Sequence, residues 1–272
     1  MMNRKFETGN LPENSTCVVS LSGGMDSTSL MLELLSSGCQ VFGISFNYGQ
    51  KHLLELDRLE DNLAYLRNKG LEVEHHKVDI STIGNLFHSA LINPDWEVPE
   101  GFYEQENMKE TVVPNRNAIF SSIAYGYALS LAGRLQREVY LGLGVHSGDH
   151  AIYPDCRPEF YNSIHDAFAM GNWDADQVKL YLPYIDGDKV TILRCAEQAI
   201  IQLGLDFETV FRNTNTSYDP DSEGKAHGRT GADVERILAF HEIGRKDPIE
   251  YVDGWDKALA TALEFQSREN TP

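Results

Sequence analysis

The chain has 272 residues, 42% of them apolar, which suits one large core or one domain with a small appendage. Forty-one acidic residues against 23 basic ones give a formal charge of -18, and no basic block stands out, so direct nucleic-acid binding is not expected. No 18-residue apolar run, no apolar start of signal-peptide type and no CxxC pair among Cys17, Cys39, Cys156 and Cys195 argue against a membrane span and a secreted disulfide scaffold, and point to a cytoplasmic protein.

Residues 17–21 (CVVSL) predict a buried strand, residues 22–27 (SGGMDS) a turn, and residues 28–37 a helix ending near Gly38. Residues 40–46 (QVFGISF) predict a second strand. Helical periodicity follows through Leu53, Leu56, Leu59, Leu63 and Leu66 until Gly70. Residues 71–78 predict a third strand, along which His75 and His76 would point to opposite sides. This alternation of strand and helix predicts a doubly wound, mainly parallel α/β sheet. Residues 81–110 carry Pro94, Trp96 and Pro99 and are read as a loop or lid. A helix over 117–133, a buried strand over 138–145, and helices over 158–171 and 189–203 follow. Residues 213–231 are polar and are read as a loop. Residues 233–243 predict a helix with Asp233 as a candidate N-cap, and the end from 262 is expected to fray. The organisation expected is an α/β domain over 15–210, a small C-terminal helical and loop region over 211–261, and a tail over 262–272.

The sharpest local signal is Ser20-Leu21-Ser22-Gly23-Gly24-Met25-Asp26-Ser27. A strand feeds two glycines and then a helix, so backbone amides at a helix N-terminus can approach an anion. Ser22 and Ser27 add hydroxyl donors. Asp26 repels phosphate unless it caps the helix or holds Mg2+ beside the phosphates. Neither GxxxxGK[ST] nor GxGxxG is present here. Local physics alone also allows an ordinary Gly-Gly turn with Asp26 as N-cap.

The turn closely resembles the SGGxDS pyrophosphate-binding loop of the N-type ATP pyrophosphatases. Four further segments follow: FNYGQKHLLE at 46–55, VPNRN at 113–117, GVHSGDHAIYPDCR at 144–157 with Pro158, Glu159 and Phe160 behind it, and DGDKVT at 186–191. In this order, over roughly residues 15–245, the chain resembles the 7-cyano-7-deazaguanine synthase family. The resemblance implies an adenine nucleotide alpha hydrolase-like, Rossmann-like fold. It implies ATP and Mg2+ as cofactors and 7-carboxy-7-deazaguanine and ammonia as substrates, with ammonia expected free from solution because no glutaminase-like domain fits this length. ATP would adenylylate the carboxylate, ammonia would give an amide, and a second ATP would lead to the nitrile. A homodimer is the expected assembly.

Under this resemblance Ser20, Leu21, Ser22, Gly23, Gly24 and Ser27 would hold the nucleotide phosphates and Asp26 a Mg2+ ion. Phe46, Tyr48 and Gln50 follow the second strand, where a base or ribose fits. Arg116 is a candidate phosphate clamp, since its fork suits paired oxygens, and Lys189 adds positive charge. Ser22, Asp26, Arg116 and Lys189 are the catalytic candidates. Asp149, Tyr153, Asp155 and Arg157 are the substrate candidates. Blander readings stand beside these: Arg116 in a surface ion pair, Tyr153 in loop packing, Lys189 in solvent and Cys156 in the core.

Members of the family carry a four-cysteine zinc site near the C-terminus, and this chain departs from it. Ser217, His227, Thr230 and Asp233 stand where the cysteines would be, while the following Glu235-Arg236 pair is retained. Hydroxyls are poor zinc ligands, so structural zinc is not expected. The altered region either keeps its shape by other contacts or marks a different outcome, such as 7-amido-7-deazaguanine or a deazaguanine joined to a protein amine in an antiviral system. A non-catalytic nucleotide-binding protein is the alternative of another class. Release of pyrophosphate on adding substrate separates it from an enzyme.

Overall fold

The computed structural model describes residues 4–51, 53–93, 95–100, 106–150 and 153–269, with the side chains of 106–108, 149, 150 and 269 outside the description. Strands β1 (Thr16–Ser20), β2 (Gln40–Asn47), β3 (Glu74–Asp79), β4 (Val139–Gly142) and β5 (Val178–Tyr181) form one sheet. Its order is β3-β2-β1-β4-β5 and every pairing is parallel. The helices are α1 (Met25–Ser36), α2 (Leu54–Asn68), α3 (Ser81–Gly84), α4 (Arg116–Leu135), α5 (Pro158–Gly171), α6 (Lys189–Leu203), α7 (Phe207–Arg212), α8 (Gly231–Glu242) and α9 (Trp255–Glu269).

Side chains of an extended strand alternate between faces. On β1, Cys17 and Val19 join a core formed with α1, α2 and α6, while Val18 joins a second core formed with α4, β4 and β5. Both faces are covered, so the central strands are apolar on both sides. His75 hydrogen-bonds Ser45 Oγ at 2.8 Å, whereas His76 meets the edge of Tyr127. The alternation expected for this pair is therefore present. At the β5 edge, Glu7 N donates to Leu180 O and Leu182 N donates to Glu7 O, both at 2.8 Å, which covers the carboxyl end of an otherwise open edge.

The chain runs outward from β1 to β3 on one side and returns to β4 and β5 on the other. That reversal opens a crevice beyond the carboxyl ends of β1 and β4, the usual ligand position in such sheets. The helices expected at 158–171 and 189–203 have those bounds. The first helix starts earlier than expected, at Met25, because Gly24 already takes the extended N-cap geometry. Among the described residues between 81 and 110 the regular elements are α3 and a tight helical turn starting at Glu106.

Two elements have no counterpart in the sequence reading, and two local readings need correction. Strand β5 and helix α7 carry no expectation from the periodicity, since four and six residues are too short to display one. Thr230, not Asp233, caps α8: its Oγ1 accepts from Asp233 N while the Asp233 carboxylate accepts from Thr230 N, a reciprocal capping box. The stretch from 262 onward does not fray at once but stays helical to Glu269. Ala258 and Ala262 are buried there with Val234 and Ile237 of α8, so an apolar stripe holds it. Among the described residues no helix is long and apolar enough to cross a membrane.

Candidate active site

The crevice is built first by the turn after β1. Leu21 N still donates to Ile44 O at 2.8 Å, so sheet pairing carries the chain to the edge of the turn. Gly23 has φ +82°, and a Cβ there would lie 1.8 Å from the carbonyl oxygen of Glu55. Only glycine meets both demands. Ser22 N donates to Ser27 Oγ at 3.1 Å, and Gly24 N donates to Ser22 Oγ at 3.2 Å. The two hydroxyls, themselves 3.1 Å apart, stand at the mouth of α1. The first amides of a helix have no intrahelical acceptor, and their dipoles favour an anion. Gly144, just beyond β4, lets that chain pass the same helix end: a Cβ would lie 3.2 Å from Ser27 N.

Asp26 lies in the first turn of α1. Lys189 Nζ donates to its Oδ2 at 2.9 Å and lies 3.0 Å from His146 Nε2 and 3.6 Å from Glu235 Oε2. Burial pushes the Asp26 carboxyl up, but Lys189 and His146 together outweigh it and hold the group below the usual carboxylate range. Its Oδ1 is buried without a hydrogen-bond partner. Lys189 reaches this point because Asp188, accepting from Thr191 N at 2.7 Å, starts α6 at the crevice. The blander reading of Lys189 as a solvated side chain is set aside, since the residue is buried.

Arg116 enters from the opposite wall. Asn115 before it takes a left-handed conformation, φ +61°, which turns the chain into α4. The guanidinium lies 6.0 Å from the centre of the Tyr48 ring, with Tyr153 and Tyr218 also close enough to act on its charge. Among the described residues no carboxylate pairs with it within 4.0 Å. Phe120 completes the wall, stacked on Phe46 at 4.3 Å and meeting the edge of Tyr48 at 5.4 Å.

Glu55, in the first turn of α2, also lines the crevice. Gln50 Nε2 donates to its Oε1 at 3.0 Å. Burial pushes the Glu55 carboxyl up to about 7, against the opposing pull of Gln50 and Arg116.

Of the residues singled out in the sequence, Ser20, Ser22, Gly24, Asp26, Ser27, Tyr48, Arg116 and Lys189 come together along one cleft. Leu21, Gly23, Phe46 and Gln50 stand behind its wall. Gln50 Oε1 accepts from Tyr48 N at 2.9 Å and so shapes the loop. Tyr153 is buried, its hydroxyl 2.7 Å from Thr111 Oγ1. Asp155 Oδ2 accepts from Asn117 N at 3.4 Å, and Arg157 is exposed at the start of α5. Asp149 falls in the helical turn Ser147–His150, with its side chain outside the described residues. Cys156 is buried and accepts from Asn117 Nδ2 at 3.4 Å, and both residues line the cleft. Glu55, His146 and Glu235 had been given no role from sequence. Each lies inside or beside a segment already singled out: FNYGQKHLLE, GVHSGDH and the Glu235-Arg236 pair.

The C-terminal region closes the cleft with Asn215, Thr216, Tyr218 and Ala232. Asn215 N donates to Gly23 O at 3.0 Å, tying this region to the turn. Behind it, Asp233 Oδ2 accepts from Ser217 Oγ, Arg229 N and Thr230 N at 3.3, 3.2 and 3.3 Å. Three of the four positions expected to hold cysteines are thus bonded to one another, and His227 lies outside this cluster. A carboxylate and two hydroxyls already bonded together do not fit zinc. Arg236 continues the network. It grips Asp247 through two bonds of 2.7 and 2.9 Å and also donates to Thr214, Thr216 and the Phe211 carbonyl.

Comparison with known proteins shows what the chain is similar to. Residues 16–244 match the family described as Queuosine biosynthesis protein QueC. A 7-cyano-7-deazaguanine synthase of Caldicellulosiruptor bescii is 43% identical over 234 residues, covering 86% of this chain and 96% of the relative. One of Alteromonas mediterranea is 44% identical over 234 residues, covering 86% and 97%. Among solved structures, the NMN synthetase of Francisella tularensis aligns over 95% of this chain and 86% of its own, at 12% identity and a TM-score of 0.40.

Proposed function

From the premise that this chain belongs to the QueC family and is an ATP-dependent C–N ligase, we propose that it converts 7-carboxy-7-deazaguanine and ammonia to 7-cyano-7-deazaguanine. The observation that carries the anionic half of this reading is Arg116. A largely enclosed guanidinium with no carboxylate partner among the described residues, sharing its cleft with a helix N-terminus, calls for an anion between them.

Ser22, Ser27 and the first amides of α1 hold the departing pyrophosphate, and Arg116 clamps the phosphate chain from across the cleft. Asp26 fits a magnesium ion, because its Oδ1 is buried without a partner and the carboxyl stays ionised. Such an ion would be shared with phosphate oxygens, offsetting their charge, since no cluster of three protein ligands is present among the described residues. Lys189 keeps the Asp26 carboxyl ionised and adds positive charge. Tyr48 and Phe120 flank the base, braced from behind by Gln50 and Phe46. Of the substrate loop, Asp149 and Arg157 meet the deazaguanine, while Tyr153 and Asp155 act through Arg116 and Asn117.

A second reading keeps the adenylylation and changes the outcome. It is favoured by Thr216, Tyr218 and Ala232, which line the cleft and belong to the region that departs from the four-cysteine pattern. Mass spectrometry of the protein with magnesium ATP, 7-carboxy-7-deazaguanine and ammonium separates the two. Nitrile is the expected product. Amide or acyl-adenylate without nitrile moves the function to the second reading, and no pyrophosphate release removes both.

A further inference from the structure

Adenylylation makes a carboxylate electrophilic, yet nitrogen transfer meets a further barrier. The nitrogen that adds to the acyl carbon carries a proton that must leave before the C–N bond is secure. The cleft therefore needs a base, and most of its ionisable groups are engaged elsewhere. Asp26 is bound to Lys189 beside His146. Arg116 cannot give up its proton. The Cys156 thiol is bonded to Asn117, and burial pushes the Tyr48 phenol above its ordinary value.

Glu55 is different. Its carbonyl packs against Gly23 and its side chain lines the cleft, which places it beside the phosphate turn. Gln50 holds the carboxyl through one oxygen, and no cation of the described residues pairs with it within 4.0 Å. The charged and titratable groups that act on it are Arg116 from α4 and Tyr48 from the loop after β2. Its carboxyl, pushed up to about 7 by burial, changes charge in the neutral range, which is the poise of a general base.

Resting on the ligase reading above, we propose that Glu55 is the base of the nitrogen-transfer step. Ammonia adds to the acyl carbon of the adenylate and the C–N bond forms. A proton passes from that nitrogen to the Glu55 carboxylate. The C–O bond to AMP breaks, and its electron pair leaves on the AMP phosphate. Amide, AMP and a protonated Glu55 result, and Glu55 returns the proton to solvent.

Glu55→Gln keeps the side-chain shape but cannot accept a proton. Amide and nitrile formation should fall about 10²–10⁴-fold, while substrate-dependent exchange between ATP and pyrophosphate continues. Hydroxylamine, a stronger nucleophile that is neutral at neutral pH, should still trap the acyl-adenylate as a hydroxamate in the variant. At constant free ammonia, the wild-type rate of nitrogen transfer should rise with pH through about 7 and lose that limb in the variant. A stability readout is independent of turnover. A raised carboxyl favours the fold fully below the ordinary glutamate value, and this contribution disappears as pH rises through about 7. The variant should therefore be at least as stable as wild type at alkaline pH. Equal loss of exchange and transfer would place Glu55 in the phosphate site instead. Unchanged ammonia transfer would remove it from the chemistry. A wild type giving neither exchange nor product would overturn the ligase reading itself.

Discussion

Two enclosed arginines divide the molecule. Arg236 is fully buried and its donors meet Asp247, Thr214, Thr216 and a carbonyl. Tyr251 donates to Asp247 from the other side at 2.7 Å, and Phe240 lies under the guanidinium at 5.2 Å. Arg116 is wrapped by tyrosines and has no carboxylate pair among the described residues. One cluster is closed on itself and holds the C-terminal region. The other is left open toward a cleft that also holds the orphaned Asp26 Oδ1 and the poised Glu55. Satisfied buried polar groups specify structure, while unsatisfied ones wait for a ligand.

The sharpest way to break this contrast is to remove the closed arginine. Arg236→Ala leaves Asp247 buried and uncompensated, which should destabilise the protein by about 3–5 kcal/mol. That is a large part of an ordinary domain's stability, and urea unfolding measures it. A loss below about 1 kcal/mol would mean that the network is ornamental. Thr216 and Asn215 sit between this network and the cleft, so substrate binding should weaken along with the fold.

Removing the open arginine should do the reverse. Arg116→Ala should lower turnover about 10²–10³-fold, the usual loss when one donor to a developing anion is deleted, with unfolding shifted by less than about 1 kcal/mol. Arg116→Lys should recover only part of the rate, because an ammonium cannot contact two oxygens in a fork. Equal destabilisation by Arg116→Ala and Arg236→Ala would erase the distinction.

The two regions also differed in how much the sequence revealed. The turn at 20–27 is legible because its contacts are local: Ser22 bonds Ser27, and the strand, glycines and helix are contiguous. The parallel sheet follows from alternating elements of ordinary length. The cleft's other half depends on distant pairings, such as Lys189 with His146 and Gly23 with the Glu55 carbonyl. Nothing in the neighbourhood of His146 or Glu235 announces that both approach one lysine. Glu55 is an ordinary first-turn glutamate until folding buries it. In the C-terminal region the sequence shows what is missing, four cysteines, but not that Ser217, Thr230 and Asp233 bond to each other.

That last cluster carries the smallest expected effect and the finest test of the contrast. Asp233→Asn keeps an oxygen that can accept from Ser217, Arg229 and Thr230, so the change should cost about 1 kcal/mol or less. Its pH dependence says how the cluster is held. Burial pushes the Asp233 carboxyl up, with Thr230 and Ser217 opposing. A raised carboxyl contributes stability that is complete below the ordinary aspartate value, about 4, and that disappears as pH rises through the folded value. The stability advantage of wild type over Asp233→Asn should therefore shrink with rising pH, as read from unfolding temperatures across the acid to neutral range. An advantage that grew with pH would mean that an anion holds the cluster, making it electrostatically closer to a metal site than to a hydrogen-bonded cap.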